Sequence, residues 1–242
     1  MLFHGLTNCP QQFDEFARLL HARGENVYVP RLPYHGEKDR LTRSIGNLTA
    51  RDIERAATDA ARLAAGLGER VNVLGISVGA TMALWLAQTG GVENAVAVAP
   101  FLMVPFAPHV PGTWLMRLLA ALPNRFMWWD PRIKEAMRPD YAYPGFWTRA
   151  LAECVFAGNA IFAAAARTPP VAAHAAIVIN ADDPAVNNAP ARRLAARWRR
   201  QRASFALAVW DDVGKVHDVV DPSTYPAART LVYPRLAALL EP

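Results

Sequence analysis

The chain has 242 residues, 52% of them hydrophobic and 19% charged, which is enough apolar side chain for one sizeable core and excludes disorder throughout. Its two cysteines, Cys9 and Cys154, exclude a disulfide framework and have no metal-site spacing. A net charge of +5 invites a nucleic-acid reading, but of the 26 basic residues only Lys38, Lys134 and Lys215 are lysines, and no aromatic-interleaved basic motif accompanies the arginines.

The segment Met1-Leu2-Phe3-His4-Gly5 has neither a basic n-region nor an apolar h-region, so no secretion signal is expected and the cytoplasm is the default compartment. Residues 27–29, Val-Tyr-Val before Pro30, read as a short strand closed by a breaker. Residues 48–67 carry apolar side chains at helical spacing, with Thr49 as N-cap and Gly68 as stop. A strand over 71–74, a helix over 78–88 and a strand over 95–99 follow. The longest uncharged stretch, Asn94 to Met116, carries Pro100, Pro105, Pro108 and Pro111, which would break a membrane-spanning helix.

No strand signal appears from there to residue 175. The region is rich in aromatics, with helical stretches over 113–122 and 146–167, and reads as a helical insertion because so long a structureless loop does not suit a compact domain. Strands over 176–179 and 205–210 flank a helix bearing Arg192, Arg193, Arg197, Arg199, Arg200 and Arg202. These spread around most of its circumference, while Leu194, Ala195 and Trp198 form its buried side, so the arginines are expected on a solvated face. A last helix covers 225–240. Continuous apolar strands alternating with helices predict an α/β fold with a mostly parallel, doubly wound sheet. The core is expected in residues 1–100 and 171–242, and the insertion in 101–170.

The strongest chemical signal is Gly75-Ile76-Ser77-Val78-Gly79, directly after an apolar strand and directly before a helix. The two glycines leave room for neighbouring backbone, and the serine hydroxyl is presented on a sharp turn at a helix N-terminus. A serine needs a base and an orienting carboxylate. His217 lies on a loop after the last strand. His174 precedes a strand, His21 sits among core-facing residues of a helix, and His109 could reach the serine only through the insertion. Asp182 and Asp183 follow the strand at 176–179; either suits, and both could simply begin the turn before Pro184.

These motifs resemble those of the α/β-hydrolases, and within them the bacterial carboxylesterases and monoglyceride-lipase-like serine hydrolases, over essentially the whole chain. The resemblance implies a nucleophile Ser77, acid Asp183 and base His217, in the family's order. The family's G-x-x-D-x-x-V pattern falls on Asn180, Asp183 and Val186, which favours Asp183, although Asn180 replaces the usual glycine. His4-Gly5 matches the family's His-Gly, and by resemblance the N–H groups of Leu6 and Val78 form the oxyanion hole. Pro33-Tyr34-His35-Gly36 is similar to the family's P-G-H-G loop, with Tyr34 for a glycine, so His4 and His35 are expected as scaffold.

The insertion occupies the place of the family's cap. Trp114, Trp128, Trp129 and Phe146 are candidates for an apolar substrate pocket. The implied activity is hydrolysis of a carboxylic ester through an acyl-enzyme, without metal or organic cofactor. Acyl transfer, amide or C–C cleavage, and ligand binding without catalysis are the alternatives. The expected partner is a small-molecule ester, with no nucleic acid and no stable membrane span. In the family His-Gly follows the third strand, so the first two strands are expected to be absent. The chain would then start further upstream, or the edge near residues 27–29 would be covered by pairing with a partner.

Overall fold

The computed structural model describes residues 1–241 other than 106, 108 and 138, and gives no side-chain description at 109–111. The side chains of His109 and Pro111, and Pro108 entirely, therefore lie outside the described residues. In chain order, β1 (Leu2–Phe3), α1 (Asp14–Ala22) and α2 (Ala50–Ala64) precede β2 (Asn72–Ile76), α3 (Val78–Thr89) and β3 (Asn94–Val98). Then come α4 (His109–Ala121), β4 (Phe126–Trp128), β5 (Gly145–Trp147) and α5 (Thr148–Ala165). The chain continues through β6 (His174–Asn180), α6 (Asn188–Arg200), β7 (Phe205–Trp210) and α7 (Tyr233–Leu240).

Five strands form one parallel sheet in the order β1-β2-β3-β6-β7. Alternate side chains go to two separate cores, as strand geometry requires. Val73, Ala95, Ala97, Ile177 and Ile179 join the face packed by α2, α3, α5 and α6. Leu74, Ile76, Val96, Val98 and Val178 join the face packed by α1 and α7. α3 is buried on nearly all sides, which is why its sequence shows no polar face. α6 has the orientation expected of it, with Leu194, Ala195 and Trp198 buried. Among the described residues no helix is long and apolar enough to cross a membrane.

The fold departs from the sequence expectations in three places. Residues 27–29 form no strand; they run alongside the edge of β1, tied by Leu2 N–H to Tyr28 O at 2.9 Å. The region expected to lack strands contains the antiparallel pair β4–β5, too short to show period-2 alternation. The last helix is broken: a π-helical turn over Ala228–Val232 precedes α7, which restarts with Pro234 in its first turn, where a missing N–H costs nothing. Within the insertion expected over 101–170, α5 packs on α2 and α3, and Leu151, Val155 and Ile161 belong to the main core.

The turn between β2 and α3 depends on two close backbone approaches. A Cβ on Gly75 would lie 2.0 Å from the carbonyl oxygen of Gly79, and a Cβ on Gly79 would lie 1.9 Å from that of Phe3. Neither neighbour is a flexible side-chain tip, so the clash has no cheap relief. Gly79→Ala is expected to lower unfolding free energy by about 3 kcal/mol or more. Gly24→Ala, at a positive-φ glycine with open space around it, should cost only about 1–2 kcal/mol. Urea denaturation of both variants checks the contrast; equal costs would mean that crowding at Gly79 is not limiting.

Candidate active site

Ser77 occupies the junction of β2 and α3 with φ 59° and ψ −117°, a region that L-residues rarely adopt. The surrounding backbone holds it there. Its N–H donates to Val98 O at 3.0 Å, and its carbonyl accepts from Phe101 N–H and Thr81 N–H, both at 3.1 Å. The strained turn is thereby fastened to the end of β3. Val78 is the first residue of α3, where backbone N–H groups have no acceptor within the helix. Across from it, the loop after β1 brings Gly5 so close that a Cβ there would touch Ser77 Cβ at 3.5 Å.

Asp183 and His217 come together from two loops. His217 Nδ1 lies 3.0 and 2.8 Å from the two oxygens of Asp183. The Asp183 side chain is completely buried, while that of His217 keeps 23% of its exposure. Asp183 Oδ1 also accepts from the N–H groups of Ala185 and Val186 at 2.8 and 3.3 Å. The aspartate therefore both begins the turn before Pro184 and holds the histidine, so the two sequence readings are compatible. Asp182 has no such contact with His217. A proton on Nδ1 facing the carboxylate leaves Nε2 as the acceptor nitrogen of the neutral ring.

Asn180, where the resemblance expects a glycine, has a task a glycine could not perform. Its Nδ2 donates to Gly214 O at 2.8 Å and to Val216 O at 2.6 Å, fastening the loop that carries His217 to the end of β6. The residues from Asn8 to Asp218 add a network that sequence reasoning missed. Asp218 Oδ2 accepts from Gln12 Nε2 at 2.7 Å and Asn8 Nδ2 at 3.3 Å. Gln12 Oε1 in turn accepts Gly5 N–H at 2.9 Å. The loop before Leu6 and the loop bearing His217 are thus joined through one glutamine. Asp218 was detectable only as the neighbour of His217; Gln12 and Asn8 carry no sequence signal.

Ser77, His217, Leu6, Gln12 and Asp218 line one cavity of about 380 Å³. Its far wall is apolar, with Phe101, Trp129, Met137, Ala142 and Leu151. Of the four aromatic candidates, only Trp129 reaches it. The indole N–H of Trp129 donates to Thr7 Oγ1 at 2.9 Å, and Phe146 stacks on Trp129, with ring centroids 4.3 Å apart, so Phe146 supports the wall without forming it. Trp128 instead packs edge-on against Phe126 in the β4–β5 pair. Trp114 is 66% exposed on α4 beneath the Arg117 guanidinium, away from the cavity. Helical spacing identifies aromatic faces but not which of them meets the cavity. Among the described residues no cluster of His, Cys, Asp and Glu could hold a metal ion.

The sequence model of the alpha/beta hydrolase family matches residues 1–229. The chain belongs to this family. No curated protein sequence matches it. Among solved structures it is similar to one from LipS and LipT, two metagenome-derived lipolytic enzymes, with TM-score 0.73 and 20% identity over 99% of this chain and 91% of that one. The monoacylglycerol lipase of Paleococcus ferrophilus gives TM-score 0.73 and 17% identity over 99% and 93%. A soluble variant of monoglyceride lipase from Saccharomyces cerevisiae, solved with a substrate analog, gives 0.72 and 15% over 99% and 86%. At these identities the likeness concerns the fold.

The two loop histidines of this alpha/beta hydrolase are buried acceptors. His4 donates from Nδ1 to Gly5 O and accepts Leu32 N–H on Nε2; His35 donates from Nδ1 to Pro33 O and accepts Thr7 N–H on Nε2. Burial, with the neighbouring His35 ring, pushes His4 down to about 3; burial, opposed by the Pro33 carbonyl, brings His35 down to about 4. Burial pushes Asp218 the other way, up to about 6, against the hydrogen bonds it accepts.

The consequence for stability has a definite sign. Between about pH 4 and 6, unfolding lets both histidines take up a proton and makes Asp218 release one, a net uptake of one proton. Stability should therefore fall on acidification by about 1.4 kcal/mol per pH unit in this window. Asp218→Asn removes the opposing proton and should steepen the fall to about 2.7 kcal/mol per pH unit. Urea denaturation across the window measures both slopes; a shallower slope in Asp218→Asn would contradict the burial account.

Proposed function

We propose that the protein is a serine hydrolase of carboxylic esters, with Ser77 as nucleophile, His217 as general base and Asp183 as its orienting carboxylate. The observation that carries this reading is the pairing of His217 Nδ1 with the buried Asp183 carboxylate at 2.8 Å, in a cavity that Ser77 also lines from a strained turn. Such an arrangement leaves Nε2 to take the serine proton as the hydroxyl attacks an acyl carbon. The oxyanion that develops there is met by the N–H groups of Leu6 and Val78, and a fixed pair of donors serves this better than water, which must reorganise. Breakdown of the tetrahedral adduct returns the proton to the departing alkoxide. Water, deprotonated by the same histidine, then releases the acid and regenerates Ser77.

The mainly apolar wall supports a small or lipid-like ester as substrate. The lipolytic and monoacylglycerol-lipase neighbours support the same substrate class, at the level of a shared fold. The insertion over 101–170 serves as the cap of this site, through Trp129, Met137 and Ala142.

A fluorophosphonate probe should label the wild-type protein, and Ser77→Ala should abolish both labelling and hydrolysis of p-nitrophenyl butyrate. Asp183→Asn should lower kcat by about 10⁴-fold, because the base loses its orienting anion and correct tautomer. Asp182→Asn should leave kcat essentially unchanged. Absence of wild-type labelling would end the serine-hydrolase reading, and equal losses in the two asparagine variants would end the assignment of Asp183.

A further inference from the structure

One wall of the cavity is made by an irregular segment, which supplies Met137, Pro139, Ala142 and Tyr143. It follows a single 3-10 turn, Lys134–Ala136, entered through Lys134 at φ 45°. Within it, Met137 N–H donates to Lys134 O and Ala142 N–H to Pro139 O, both at 3.1 Å; these are turn bonds inside the segment, so something else must fix the wall against the body. Arg40, on the loop before α2, does so. Its guanidinium donates from Nε to Ala142 O at 2.7 Å, from Nη2 to Met137 O at 2.8 Å and from Nη1 to Glu135 O at 3.2 Å. All three acceptors are backbone carbonyls, and two belong to residues that line the cavity. The far end of the same segment is pinned separately: Tyr143 N–H donates to Thr7 O at 2.8 Å, and the Tyr141 hydroxyl donates to the Asp221 carboxylate.

A planar fork with several fixed donors can hold carbonyls several residues apart; a lysine ammonium is a point charge on a flexible stem and cannot set their relative positions. We propose that Arg40 is a specificity-determining residue, which limits the length of acyl group the site accepts by holding the backbone of Met137 and Ala142 inward. The proposal rests on the ester-hydrolase reading. With the wall held, the cavity of about 380 Å³ lies near the lower end of ligand-pocket volumes, roughly 300–1,000 Å³. With the clamp released, the wall can withdraw without any change at Ser77, His217 or Asp183, none of which Arg40 touches. The effect should therefore fall on selectivity rather than on chemistry.

The test compares p-nitrophenyl butyrate with p-nitrophenyl laurate for wild type, Arg40→Ala and Arg40→Lys. Labelling of Ser77 by a small fluorophosphonate serves as the measure of an intact site. Both variants should label at the wild-type rate within about threefold, while the butyrate-to-laurate ratio of kcat/KM falls at least about tenfold, chiefly through a lower KM for laurate. If Arg40→Ala does not fold, Arg40→Lys, which keeps charge and stem, carries the comparison. An unchanged ratio in Arg40→Lys overturns the proposal. So does a parallel loss on both esters with slowed labelling, which would mark Arg40 as a general structural support. A wild type that does not label at all fails the hydrolase reading and the proposal with it; a labelled wild type with an unchanged ratio fails the proposal alone.

Discussion

The site depends on one close contact, the approach of the Phe3 carbonyl of β1 to the backbone of Gly79 in the first turn of α3. This contact, with Gly75 against Gly79, lets a helix begin directly over the end of a strand. The chain must then reverse within one residue, and that residue is Ser77 at positive φ. Its strain, of order 1–3 kcal/mol, persists because three backbone hydrogen bonds to the end of β3 and to Thr81 hold it. The same approach places the loop after β1 against Ser77, so the Ser77 turn and the Gly5–Leu6 loop are positioned by one constraint rather than two.

A second constraint aligns the loops that β-sheet geometry leaves independent. His217 follows β7, Asp183 follows β6 and Leu6 follows β1 at the opposite edge of the sheet. Strand pairing alone fixes the stems of these loops and not their tips. Asn180 secures the His217 loop to the end of β6, and Gln12 spans the remaining gap between Asp218 and Gly5. Placing a carboxylate such as Asp218 in a buried position is costly unless its lone pairs are occupied, and here Asn8, Gln12 and two backbone N–H groups occupy them. The buried polar groups around the cavity are thus a coupled set, in which losing one partner leaves another unsatisfied.

The parts of this architecture written in local chemistry were legible from sequence. Strands, α2, α3 and α6 follow from apolar period and caps, and the Thr49–Asp52 capping box is one case where the start of a helix is spelled out in its residues. Ser77 stood out because its neighbours must be glycine, and His217 because it sits just past a strand end; the strand before them left Asp182 and Asp183 open, and only the family resemblance favoured Asp183. What escaped was set by long-range contact. The β4–β5 pair is three residues on each side, and its pairing partners lie almost twenty residues apart. Residues 27–29 have strand-forming side chains but only one backbone bond to β1. Gln12 in a 3-10 turn, Asn180 at the end of β6 and Arg40 in a loop are polar residues at element ends and connections, where composition says nothing about which carbonyl or carboxylate lies opposite.

The aromatic count of the insertion misled for a related reason. Trp114, Trp128, Trp129 and Phe146 are all large apolar rings of the insertion, yet of these four only Trp129 meets the cavity, where its indole N–H donates to Thr7 in the loop after β1. A large apolar ring packs against many surfaces, and a directional hydrogen bond selects one of them. The same logic holds at Met137 and Ala142, where Arg40 grips the main-chain carbonyls. A wall held by its backbone can exchange Met137 or Ala142 for other apolar residues without losing its position. Pocket shape and pocket lining are then separable: the first is set by polar loop residues, the second by the side chains they hold in place.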